Sequence, residues 1–178
     1  MVAKKGGFFI NGKFDQSTQD PYSAILQAIE SFCGDLLLKD ESTIDKYRSK
    51  IISAVGEEGK VLDVISNLNL IIGQQPSISD SFGKDAKNRF NYVFIRFLKA
   101  ICSAESPIVL VLEDLQWLDN ETHNLVSAIL ADGCIKNLMF IGTYRQNEVT
   151  NEHLLTGLLQ NVRNISIEMI EIELENLG

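Results

Sequence analysis

At 178 residues the chain is long enough for one domain with a sizeable core, and 45% hydrophobic with 22% charged residues is ordinary for a globular protein. A net charge of −8, with basic residues clustered only at Lys84, Lys87 and Arg89, excludes the concentrated Lys and Arg that a nucleic-acid surface needs. Three cysteines, Cys33, Cys102 and Cys134, lack metal or disulfide spacing, and neither a signal peptide nor a run of roughly 20 apolar residues is present, so a cytoplasmic protein with no membrane partner is expected.

Gly6-Gly-Phe-Phe-Ile-Asn-Gly12 reads as a short buried strand between glycines. Asp20-Pro21 predicts a capped helix start, and Tyr22, Ile25, Leu26, Ile29, Phe32, Cys33 and Leu36 continue it at helical spacing to about 38. A second, more polar helix is expected over 41–55, closed by Gly56, and a third over 59–72 with Val61, Leu62, Ile65 and Leu68 on one side. Residues 73–83 carry loop composition; 84–103 form a fourth helix with Phe90, Val93, Phe94, Phe97, Leu98 and Ile101 aligned. Ile108-Val-Leu-Val-Leu112 is apolar throughout, as expected of a strand covered by helices on both faces. Next come a helix over 120–130, a buried strand over 138–143, a short helix over 153–162 and an alternating stretch over 165–174 that predicts a final strand. Strands alternating with helices indicate an α/β fold with a parallel sheet, treated as one domain over 1–178.

The chemistry concentrates after the strongest strand. Ile108-Val-Leu-Val-Leu-Glu-Asp-Leu-Gln-Trp-Leu-Asp119 ends an apolar strand in two adjacent acids, Glu113 and Asp114. Ligands in open α/β sheets bind at the carboxyl ends of strands, where two carboxylates can hold hydrated magnesium and polarise a water. For an apolar strand followed by two acids alone, acids that merely end the strand in solvent are an equal alternative. Asp119 reads as the N-cap of the following helix. Arg145, at the end of Phe140-Ile-Gly-Thr-Tyr-Arg145, could offer a planar, permanently charged fork to a phosphate, or could pair with Glu148 or Glu152 at the surface.

The apolar run, the acid pair and Leu115-Gln116-Trp117-x-Asp119 together resemble the Walker B region of AAA+/STAND P-loop ATPases, in particular the origin-recognition-complex-like AAA ATPase domains of large signalling kinases. The family usually has aspartate first, so Glu113 departs from it. Phe140 to Arg145 resembles the sensor I strand, and Gly6-Gly-Phe-Phe-Ile-Asn-Gly-Lys-Phe-Asp-Gln16 is similar to the strand after the P-loop helix. The resemblance implies ATP and Mg2+ as cofactors, Glu113 and Asp114 as metal-binding and catalytic acids, Asp114 as the acid that orients the attacking water, Arg145 as a contact to the terminal phosphate, and other domains or proteins of a signalling system as partners.

Gly7-x-x-x-x-Gly12-Lys13 mimics a phosphate loop, but Phe14 replaces the magnesium-binding Ser or Thr and Phe8, Phe9 and Ile10 favour a strand. The first strand and phosphate loop are therefore expected upstream of Met1, with that strand seated between those at 138–143 and 165–174. The chain then reads as an internal fragment, a truncated gene product or a degenerate paralogue. A phosphate cradle contributes several charge-assisted hydrogen bonds of roughly 1.5–3 kcal/mol each, so losing three weakens binding by about three to six powers of ten. Impaired ATP hydrolysis as a conformational switch and a non-catalytic interaction module stand as alternatives. A receiver-like regulator fits worse, because Asp15 is a poor phosphoacceptor and Tyr144-Arg145 stands where it needs a lysine.

Overall fold

The computed structural model describes residues 6–17, 20–75, 84–165 and 167–174. Strand β1 (Phe8–Lys13) leads to helices α1 (Ser23–Leu37), α2 (Glu41–Val55), α3 (Leu68–Ile72) and α4 (Lys84–Ile101). Strand β2 (Ile108–Glu113), α5 (Asn120–Ala131), β3 (Leu138–Gly142) and α6 (Leu154–Asn164) follow. The three strands form one parallel sheet in the order β1-β2-β3, with Phe8 opposite Ile108 and Ile108 opposite Leu138. Parallel neighbours at 108–112 and 138–142 agree with the α/β expectation. No helix among the described residues is long and apolar enough to cross a membrane.

Chain order equals spatial order in this sheet, so both crossovers run in the same direction. Right-handed crossovers then place the connecting helices on one face. The core accordingly gathers Phe8, Ile10, Ile108, Leu110 and Leu112 with Ile25, Ile29, Phe32, Phe94, Phe97, Leu125 and Leu158. The opposite face carries the row Phe9, Val109 and Met139, whose outer members are 57% and 58% exposed. The expectation that helices cover β2 on both faces is thus corrected: its apolar composition reflects a central position with a neighbour on each side.

The α1 helix presses hardest on the end of β1. A Cβ on Gly12 would lie 1.7 Å from the Ala24 carbonyl oxygen, so glycine is required there by helix packing. Gly12 lies in a strand, as expected when the phosphate-loop reading is rejected.

Several boundaries depart from expectation. Asp20 does not cap α1: Tyr22 takes the N-cap position at φ 66°, and its N–H donates to Thr122 Oγ1 at 3.0 Å. The third helix is split into a 3-10 segment, Gly56–Leu62, and the short α3. Between them, the Glu30 carboxylate of α1 accepts from the backbone N–H groups of Ser66 and Asn67, drawing both away from helical bonding. The strand expected over 165–174 is absent among the described residues there; Ile170, Ile172 and Leu174 are 77%, 79% and 89% exposed. An alternating segment becomes a strand only when a ladder partner takes up its backbone groups. Most of the 73–83 loop lies outside the described residues. Cys33 is buried and Cys102 partly so, and burial pushes both thiols up to about 12; Cys134 is exposed, contrary to a core role for all three.

Candidate functional site

All three strands direct their C-terminal ends to one edge, which brings together Lys13, Glu113 and the segment 143–145. Phe14 N–H donates to the Glu113 carbonyl at 3.0 Å, holding the ends of β1 and β2 together. Beyond Glu113 the chain turns sharply. Asp114 adopts the left-handed region at φ 59°, ψ 46°, a conformation that costs most residues roughly 1–2 kcal/mol and that, after glycine, Asp and Asn tolerate best. The turn then crosses the end of β3, where Leu115 N–H donates to the Thr143 carbonyl at 2.9 Å. Glycine at 142 makes room for it, since a Cβ there would come within 2.4 Å of Leu115 Cδ1.

This turn carries Asp114 into a web of donors. Lys13 Nζ lies 3.3 Å from Asp114 Oδ2, and Gln116 Nε2 donates to Asp114 Oδ1 at 3.2 Å. Burial by itself would raise the Asp114 carboxyl. The Gln116 and Lys13 hydrogen bonds and the positive charges of Lys13 and Arg145 outweigh it and hold the group below the usual carboxylate value. Glu113 is half-buried and shares its face of the sheet with Lys13, its partner in register. The Arg145 guanidinium bonds Glu148 Oε1 at 2.9 Å and lies 5.6 Å from the centre of the Trp117 ring. Asp119 caps α5 as expected: its carboxylate accepts the Thr122 N–H at 2.8 Å.

Among the described residues no group of three or more His, Cys, Asp or Glu side chains could hold a metal. Two adjacent carboxylates nevertheless suit magnesium, which is bound through one or two carboxylates, with water and phosphate oxygens completing its shell.

The sequence profile of the AAA ATPase domain family matches residues 2–141. The chain belongs to that family. Over 123 residues, 68% of its length, it is 30% identical to hybrid signal transduction histidine kinase G of Dictyostelium discoideum, of which the match covers 4%. No solved structure matches the chain significantly. AAA ATPase domains generally bind ATP and Mg2+.

Within this AAA ATPase domain the structure brings Glu113, Asp114 and the Arg145 segment to one edge. It adds three residues to which sequence reasoning assigned no role there. Lys13 only mimics a phosphate-loop lysine in sequence; strand register with Glu113 delivers it to the acids. Gln116 was a letter of the Leu-Gln-Trp motif, and only tertiary structure shows that it is buried between Asp114 and Arg145. His153 marked the start of a helix, and its ring also lies 2.9 Å from the Gln116 carbonyl. A hollow of about 550 Å3 lined by Lys50, Arg96, Lys99 and Cys102 adjoins the end of α4, which leads into the start of β2 at the opposite edge of the sheet. It has no part in this site.

Proposed function

We propose that the chain is the hydrolytic portion of an ATPase domain in a signalling protein, carrying its Walker B acids and sensor I arginine. Glu113 and Asp114 hold magnesium, Asp114 also orients the attacking water, and Arg145 meets the terminal phosphate. The observation that carries the reading is the convergence of these residues at the carboxyl edge of a parallel sheet. The histidine-kinase relative supports a signalling setting with other domains or proteins as partners; the net charge of −8 argues against nucleic acid among them, and a cytoplasmic location without a membrane partner is part of the proposal.

Magnesium, when bound, neutralises charge on the phosphate oxygens. The remaining work falls to side chains of this chain. An ionised Asp114 accepts a hydrogen bond from water and aims its lone pair, a role felt mainly in the transition state. The Arg145 guanidinium bonds Glu148 Oε1 through one nitrogen, and its other N–H groups are the donors offered to a phosphate.

Activity of this stretch by itself is expected to be impaired, because Phe8 to Lys13 form a strand and an extended strand cannot converge its N–H groups on a phosphate. Asp114→Asn in a polypeptide that also carries Gly-x-x-x-x-Gly-Lys-Ser/Thr ahead of Met1 tests the assignment. Hydrolysis should be lost while ATP binding survives; retained hydrolysis would move the role elsewhere, first to Glu113. A second reading, a non-catalytic interaction module, is favoured by the engagement of both Asp114 oxygens with Lys13 and Gln116, which leaves the acid tied to protein groups.

A further inference from the structure

Gln116 is 5% exposed, and a buried side-chain amide left without partners is costly. Its Nε2 donates to Asp114 Oδ1 at 3.2 Å, and its Oε1 accepts the Arg145 N–H at 3.2 Å. The amide can face only one way, because an ionised carboxylate only accepts and a backbone N–H only donates. The main chain of the same residue makes a third link. His153 Nδ1 accepts the Leu155 N–H at 3.1 Å, which places the ring proton on Nε2, 2.9 Å from the Gln116 carbonyl. One buried residue thus joins the acid after β2, the segment after β3 and the first turn of α6.

We propose that Gln116 is the positioning residue of this edge: its amide holds the Asp114 carboxylate and the backbone of Arg145 in one frame, and its carbonyl ties that frame to the start of α6. The functional weight of the proposal rests on Asp114 and Arg145 acting as described above. A displacement of the Arg145 backbone is then transmitted to Asp114 through two hydrogen bonds and to α6 through a third.

Two variants test it in the chain as it stands. Gln116→Leu removes both side-chain bonds at similar volume. Gln116→Glu keeps the acceptor for Arg145 and sets a second carboxylate against Asp114. Side-chain carboxyl NMR follows the Asp114 titration, amide exchange follows Arg145, and the fluorescence of Trp117, the single tryptophan, follows the ring beside the arginine. In Gln116→Leu, Asp114 should titrate at higher pH and the Arg145 amide should exchange about fivefold faster or more. In Gln116→Glu, the acid pair should titrate higher still while the Arg145 amide keeps its protection. That split between the two readouts is beyond a residue that merely fills space, which would lower the melting temperature alone. Should Gln116→Leu fail to fold, Gln116→Glu decides: an Asp114 titration unchanged from wild type overturns the proposal. None of these readouts requires nucleotide, so failure of the ATPase assignment would be a separate result.

Discussion

Lys13 closes β1, Asp114 follows β2, and their side chains meet at 3.3 Å across the carboxyl edge of the sheet. The pair joins a lysine that could be mistaken for a phosphate binder to the acid assigned here to hydrolysis. Lys13→Met should therefore raise the pH at which Asp114 titrates, as measured by carboxyl NMR. The sign follows from the direction of the shift. A carboxyl held below its ordinary 3.8 stabilises the fold fully above that pH, and the contribution is lost as pH falls through the lower folded value. The loss in stability at neutral pH should stay below about 1 kcal/mol, because the Lys13 side chain is 59% exposed and screened by water. A larger loss in denaturant titration would mean that the pair is a structural tie.

Gly12→Ala should be among the most damaging single-methyl changes in the chain. The added Cβ meets the Ala24 carbonyl oxygen at 1.7 Å, and neither a strand nor a helix backbone can yield that distance without repacking. A loss of about 3 kcal/mol or more is expected from overpacking of this kind. Gly34→Ala supplies the contrast. Nothing lies within 4 Å of a Cβ there, and the site is inside α1, so it should gain up to about 1 kcal/mol. Chemical denaturation of both variants checks the pair; equal effects would contradict the packing described at β1.

Asp119→Ala should cost about 0.5–2 kcal/mol through loss of the α5 cap. Its carboxylate accepts both the Thr122 N–H and the Thr122 hydroxyl, and that hydroxyl oxygen in turn accepts the Tyr22 N–H at 3.0 Å. Thr122→Val should therefore loosen the start of α1 as well as α5. Faster amide exchange at Tyr22 in that variant is the specific sign, and unchanged exchange would show that the two helix starts are independent.

How much was legible in sequence follows the range of the forces involved. Strand β2, helices α2 and α5 and the cap Asp119 are set by nearest neighbours, and the residue pattern specifies them. The start of α1 was misplaced because its N-terminal turn is held by Thr122, 100 residues away. The third helix was overextended because Glu30, 36 residues earlier, takes the N–H of Ser66. Alternation over 165–174 is a statement of strand propensity, and propensity alone supplies no ladder partner. At the site, the acids and Arg145 were visible as motif letters, whereas Lys13, Gln116 and His153 acquire their places only through strand register and the turn at Asp114.

The central claim is that Glu113, Asp114 and Arg145 form the hydrolytic edge of an AAA ATPase domain, with Lys13 belonging to the Asp114 ion pair and not to a phosphate cradle. Isothermal titration of the folded chain with ATP·Mg tests it most directly. Binding should be weaker than about millimolar, since a strand over Phe8 to Lys13 offers no converging donors, and Lys13→Ala should leave the isotherm unchanged. Micromolar binding that disappears in Lys13→Ala would contradict the account and make the N-terminal glycine motif the nucleotide site.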